Sequence, residues 1–271
     1  MVSPFGSDLI AVLQRRFPDA TLTHIEHEPA RQAVFGSWPE WVEPGLKQLL
    51  IDDSVTRPYT HQVQCAQLAW QGRDVVVATG TSSGKSLGYQ LPVLSALAED
   101  QKACAIYLTP TKALGSDQLQ ATMRMTRGNE ALASVHPAPY DGDTPQESRA
   151  GIREHTRYVF TNPDMLHAGL LGAHARWARL LRHLRYIVVD ECHTYRGVFG
   201  ANVSLVLRRL LRIAKAYGAE PTLIFASATA ADPAGQASRL CGREVVAVTE
   251  DAAPTGERTI ALWEPGFIEG A

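Results

Sequence analysis

Four consecutive β-forming apolar residues, Val75-Val76-Val77-Ala78, run straight into Thr79-Gly80-Thr81-Ser82-Ser83-Gly84-Lys85-Ser86 and then into the helix-compatible Leu87-Gly88-Tyr89-Gln90-Leu91. A strand that is apolar at every position, rather than at every second one, is covered on both faces. Comparable runs recur at 103–108, 158–161, 186–189, 222–226 and 245–248, alternating with helical stretches. The expected fold class is therefore α/β, a mainly parallel sheet with helices on both faces.

The loop between that strand and helix carries chemistry of its own. Small residues let consecutive backbone N–H groups wrap phosphate oxygens, and the helix that follows presents its positive dipole end. In this arrangement Lys85 reaches the β- and γ-phosphates and the Ser86 hydroxyl ligates Mg²⁺. In the pattern G-x-x-x-x-G-K-S/T the first glycine falls at position 79, which here is Thr79. A second half of such a site is an acidic residue at the tip of another buried strand. The run Tyr186-Ile187-Val188-Val189 ends in Asp190-Glu191. Asp190 is suited to hold Mg²⁺, and Glu191 to orient and deprotonate an attacking water. Together the two halves predict a nucleoside triphosphatase.

Composition sets the limits. Of 271 residues, 45% are hydrophobic and 20% charged, a balance that supports a packed core. No apolar run approaches the about 20 residues of a membrane-spanning helix. The start, Met1-Val2-Ser3-Pro4-Phe5-Gly6-Ser7-Asp8, lacks the pattern of a secretory signal, so a cytoplasmic location is expected. The net charge of -2 argues against a polyanion partner, but it is unevenly spread. Residues 57–220 carry 19 basic and 13 acidic residues, and only this middle offers an electrostatic footprint. Two helical stretches there, 174–185 and 201–217, place Arg176, Arg179, Arg182, Arg208, Arg209, Arg212 and Lys215 on faces expected to be solvated. The four cysteines have no metal-ligand spacing, and Cys192 and His193 are expected to point apart on an extended segment.

The residues Asp190-Glu191-Cys192-His193 resemble the DExH motif of superfamily 2 helicases, and further motifs of that family's first RecA-like domain occur in order. Thr60-His61-Gln62 resembles the motif whose glutamine reads adenine, with Tyr59 and Arg57 placed to stack on or flank the base. Thr109-Pro110-Thr111-Lys112-Ala113-Leu114 resembles motif Ia, and Thr161-Asn162-Pro163-Asp164-Met165-Leu166 a later nucleic-acid-contacting motif. Ser227-Ala228-Thr229 resembles motif III, which couples the γ-phosphate site to the nucleic-acid track. With the phosphate loop, the segment 190–200 is similar to the SftH/MrfA-type DNA helicases.

That resemblance implies ATP and Mg²⁺ as cofactors, with ATP contacts at Tyr59, Gln62, Thr79 to Ser86 and His193. It also implies backbone contacts to single-stranded DNA at Thr111, Lys112, Thr161, Asn162 and Arg196, coupling through Ser227 and Thr229, translocation 3′ to 5′, and a role in DNA repair. Such helicases complete the ATP site with a second RecA-like domain. The expected organisation is a lead-in at 1–56, an ATP-binding RecA-like domain at 57–250, and a linker with the start of that second domain at 251–271. Two other readings stay open at this stage: an RNA-remodelling DExH ATPase and a non-catalytic nucleotide- or DNA-binding module.

Overall fold

The computed structural model describes residues 7–18 and 20–264. The chain divides into a larger unit, Phe35–Asp251, and a smaller one made of the two ends, up to Val34 and from Ala252. The boundary therefore moves from 57 to 35. The reason is packing: the helix Pro44–Asp52 buries Leu46 and Leu50 in the core of the larger unit, so this part of the expected lead-in is integral to it.

The nine strands among the described residues are β1 (Thr21–Glu28), β2 (Val75–Ala78), β3 (Cys104–Leu108), β4 (Ala138–Pro139), β5 (Tyr158–Thr161), β6 (Leu184–Val189), β7 (Thr222–Ser227), β8 (Val246–Val248) and β9 (Arg258–Glu264). Seven form one sheet in the order β4-β5-β3-β6-β7-β2-β8, with every pair parallel. Alternate residues serve two cores. Val76, Ala78, Ile106, Leu108, Ile187 and Val189 face one side, where the helices Gly197–Ala216 and Pro233–Cys241 supply Val203, Leu207, Leu210 and Leu240. Val75, Val77, Ala105, Tyr107, Tyr186 and Val188 face the other, against the helices Thr60–Trp70 and Ser86–Glu99. Because all seven strands run the same way, the segments that follow their carboxyl ends gather along one edge, where ligands bind in open α/β sheets.

In the smaller unit β1 and β9 pair antiparallel, from Thr21↔Glu264 to Glu28↔Arg258, and Arg258 forms an ion pair with Glu28. The alternating tail Thr259 to Trp263 is thus a strand whose partner is the lead-in. The remainder of the expected second-domain start, 265–271, and positions 1–6 lie outside the described residues.

Two local expectations are corrected. The stretch 174–185 is not one helix. A 3₁₀ turn, Leu171–Trp177, kinks at Ala173, a short helix follows over Ala178–Arg182, and Leu184 already opens β6. Nor are the arginines of the two stretches all solvated: Arg179 donates to the Thr156 and Arg153 carbonyls, and Arg209, in 201–217, to the Leu171 carbonyl. Arg157 is likewise buried, bound to the carbonyls of Leu97, Asp100 and Ala103. Part of the basic surplus therefore holds the fold together instead of facing a ligand.

Candidate nucleotide site and nucleic-acid groove

The phosphate loop leaves β2 at Thr79, which is buried and whose hydroxyl meets Ser83 Oγ at 2.7 Å. The left-handed backbone that this loop needs falls on Ser82 (φ 64°) and Gly84 (φ 73°), not on residue 79. Threonine is accordingly tolerated where the common pattern has glycine. Gly84 is constrained twice, because a Cβ there would also lie 2.6 Å from Gln62 Nε2. The Lys85 ammonium donates to the carbonyls of Thr79 (3.1 Å) and Gly80 (2.8 Å), and Ser86 opens the following helix. Burial lowers the Lys85 pKa, while the charges of Glu191, Asp190 and Asp251 oppose that shift. One cation thus faces three carboxylates.

The neighbouring contacts hold the loop in place. Gln62 Oε1 accepts from Tyr59 N (2.7 Å), and its Nε2 donates to Gly84 O (2.8 Å). His61 Nε2 lies 3.1 Å from Ser83 O. The amide expected to read adenine therefore ties the helix start to the phosphate loop, with one donor and one acceptor position left on it. Tyr59 stacks on Phe35 (centroids 5.3 Å apart) and on His61 (5.8 Å), and the Arg57 guanidinium lies over the Phe35 ring.

Asp190 follows β6, its N–H bonded to Leu108 O. Its Oδ2 accepts from the Tyr107 hydroxyl and its Oδ1 from Glu191 N (2.8 Å). Burial raises its pKa, and those two hydrogen bonds work against the rise. Glu191 adopts a left-handed backbone (φ 50°, ψ 38°), which costs a non-glycine residue about 1 kcal/mol and turns the chain sharply at the strand tip. The segment after it is a 3₁₀ turn, Cys192–Thr194, and not extended. Cys192 is buried there with its thiol pushed up to about 12 by desolvation, which leaves it inert as a nucleophile.

His193 stands between the carboxylates and the segment after β7. Its Nδ1 lies 3.2 Å from Glu191 Oε2 and also receives the Ala228 N–H at 3.2 Å. Of the two residues expected to couple the sites, Ser227 donates to Ala228 O from a buried position and Thr229 is exposed. The link between the two segments runs through the Ala228 backbone and through Gln236 Nε2, which donates to Cys192 O (3.0 Å).

Most of the expected nucleic-acid residues share one groove. Thr109, Lys112, Thr161 and Asn162 line a cavity of about 350 Å³ together with Asp141 and Asp143. Thr111 is exposed beside it as the cap of the helix Lys112–Arg127. The polar groups are partly engaged already: Lys112 pairs with Asp143, the Thr161 hydroxyl donates to Tyr140 O (2.6 Å), and Asn162 Oδ1 accepts from Met165 N (2.8 Å). Arg196 lies elsewhere, on a groove of about 550 Å³ with Gln236 and Arg239.

Comparison with known proteins gives the family. Residues 59–236 match the family model described as DEAD/DEAH box helicase. The chain belongs to the DEAD/DEAH box helicase family. It is 40% identical over 243 residues to the uncharacterized ATP-dependent helicase YprA of Bacillus subtilis (strain 168), covering 90% of this chain and 32% of that protein. It is 41% identical over 213 residues to the ATP-dependent helicase HRQ1 of Saccharomyces cerevisiae, covering 78% of this chain and 20% of that protein. Among solved structures, the DUF1998 helicase MrfA bound to DNA superposes with a TM-score of 0.92 at 36% identity, over 98% of this chain and 37% of that one. MrfA bound to DNA and AMPPNP gives 0.89 at 37% identity, over 94% and 35%. The chain spans about a third or less of the length of the curated relatives named here.

Within this helicase domain several site residues escaped the sequence reading. Phe35 lies before the expected domain start. Asp251 Oδ2 accepts from Gly80 N at 3.1 Å, far along the chain from the loop it touches. Tyr107 is hidden inside an apolar run, and Gln236 has no motif around it. Nothing in residue type or spacing marks these positions; only the strand order and register bring them to the site.

Proposed function

We propose that this domain is the ATP-binding half of a DNA-tracking motor, with Lys85, Ser86, Asp190 and Glu191 serving one ATP·Mg²⁺ and the Lys112 groove serving a single strand of DNA. The observation that carries the reading is Lys85: a half-buried ammonium on the phosphate loop, held in the field of Asp190 and Glu191. The donor set suits magnesium. Asp190 and Ser86 would offer the one carboxylate and one hydroxyl that, with phosphate oxygens, hold Mg²⁺ in triphosphatases. When bound, the ion neutralises charge on the phosphates. The side chains have separate roles in this scheme. Lys85 turns from the Thr79 and Gly80 carbonyls to the phosphates, Asp190 and Ser86 face the metal, and Glu191 orients water. The spare positions on Gln62 and the Tyr59–Phe35 stack meet the adenine.

The choice of DNA follows from MrfA, which has been seen bound to DNA. Translocation 3′ to 5′, a repair role and a cytoplasmic setting belong to the same proposal, for the longer protein. Among the described residues no helix is long and apolar enough to cross a membrane. ATP turnover measured with and without single-stranded DNA, on this chain and on a chain extended to the length of its relatives, tests the reading. DNA-stimulated turnover is expected in the extended chain, and Glu191→Gln is expected to lower it by roughly 100-fold or more while leaving ATP binding intact. Equal turnover in wild type and Glu191→Gln would remove Glu191 from its role.

A further inference from the structure

Tyr107, next to last in β3, is fully buried on a sheet face where the neighbouring β5 carries Phe160 and Tyr158. A phenol in such a place is costly unless its hydroxyl has a partner, and here the partner is Asp190. Strand register explains the meeting. Tyr107 lies opposite Val188 of β6, and Asp190, two residues on, falls on the same face of the sheet. That face is covered by the helix Ser86–Glu99, which begins at the end of the phosphate loop and brings in Tyr89, its ring centroid 6.0 Å from that of Tyr107.

Tyr89 meets both Tyr107 and Gln118. Its hydroxyl donates to Gln118 Oε1 at 2.9 Å, so its one hydrogen is turned away from the Tyr107 hydroxyl, whose own hydrogen goes to Asp190. Gln90 Nε2 donates to the same Gln118 oxygen at 3.3 Å. Gln118 belongs to the helix Lys112–Arg127, whose first residue lines the nucleic-acid groove. Burial holds both phenols well above their ordinary pKa, so both stay neutral donors.

We propose that Tyr107 is a positioning residue for Asp190, and that the buried chain Asp190–Tyr107–Tyr89–Gln118 carries the state of the Lys112 helix to the metal-binding carboxylate. The inference rests on the ATP·Mg²⁺ reading above. A carboxylate fixed by one hydroxyl and one backbone N–H keeps a single orientation, with its remaining lone pairs turned to the ion. A displacement of Gln118 frees the Tyr89 hydrogen to turn to the Tyr107 oxygen, and a hydroxyl that accepts a bond donates more strongly to its own acceptor, here Asp190. This route is separate from the one through His193 and Ala228.

The test is Mg²⁺-dependent binding of a fluorescent ATP analogue to this chain, with and without an oligothymidine strand. Tyr107→Phe keeps the ring and removes only the donor. It is expected to raise the Mg²⁺ concentration at half-saturation by roughly tenfold, the scale of losing a hydrogen bond to a metal ligand, while metal-free nucleotide binding stays within about twofold. In wild type the DNA strand is expected to shift that midpoint, and in Tyr89→Phe and Gln118→Leu the shift is expected to vanish. An unchanged midpoint in a Tyr107→Phe protein that melts as wild type does would overturn the positioning role. Loss of melting temperature in parallel with metal-free binding, at a constant midpoint, would overturn it as well. If Tyr107→Phe does not fold, the DNA-induced shift in Tyr89→Phe and Gln118→Leu decides, and a shift of wild-type size there, or none in wild type, overturns the relay. A wild-type chain that binds no nucleotide at any Mg²⁺ concentration would overturn this inference and the ATP reading together.

Discussion

The phosphate loop and the Lys112 groove lie along the same sheet edge but are built differently. The loop is held from outside itself: Gln62 ties Gly84, His61 approaches Ser83, Asp251 takes the Gly80 N–H, and the lysine faces three carboxylates. In the groove the polar groups are spent locally, in a helix cap at Asn162, a bond to Tyr140 from Thr161, and an exposed Lys112–Asp143 pair. The difference teaches that the proposed nucleotide side is preorganised, whereas the proposed nucleic-acid side would have to exchange existing contacts for new ones. Exposed ion pairs contribute little and are screened by salt, so Lys112 can trade Asp143 for a phosphate at small cost.

The contrast can be broken at several points. Lys85→Ala should have the largest effect, lowering nucleotide affinity by roughly 100-fold with little change in melting temperature, as read by titration with a fluorescent nucleotide. Gly84→Ala comes next. Its Cβ would meet the Gln62 amide at 2.6 Å in a left-handed backbone, and a loss of about 1–3 kcal/mol in stability with weaker nucleotide binding is expected from denaturant melts and the same titration. In the groove, Lys112→Ala should weaken single-stranded DNA binding several-fold and reduce the salt slope by about one, while Asp143→Asn should tighten binding, both measured by fluorescence anisotropy across salt concentrations. Thr161→Val should do least: about 1 kcal/mol of stability for the bond to Tyr140, with DNA affinity unchanged. A large loss of DNA affinity in Thr161→Val would show that this hydroxyl leaves Tyr140 for the strand, and the groove would then be less spent on local structure than the geometry implies.

How much of this could be read beforehand depends on the kind of signal. Runs that are apolar at every position, such as Val75–Ala78 and Ile187–Val189, identified buried strands directly, and the tips of two of them carry the candidate nucleotide residues. The pairing of β1 with β9 could not be read, because a short alternating tail says nothing of its partner across the length of the chain. The stretch 174–185 misled because a 3₁₀ turn, a short helix and the first residue of a strand share helical spacing by coincidence. Positive charge misled in a similar way: Arg157 and Arg179 count toward a basic surface while binding main-chain carbonyls inside it. At the candidate site, the motif residues stood out because phosphate and metal binding would call for their types. Tyr107, Asp251 and Gln236 did not, because their relevance comes from register and from where the chain returns.

His193 has a consequence of a different order. One ring nitrogen, Nδ1, lies 3.2 Å from both the Ala228 N–H and the Glu191 carboxylate. As a lone pair it satisfies Ala228 and confronts Glu191 with like polarity; carrying a proton it satisfies Glu191 and turns Ala228 away. The two contacts are mutually exclusive, so a single ring nitrogen ties the turn after β6 to one neighbour at a time.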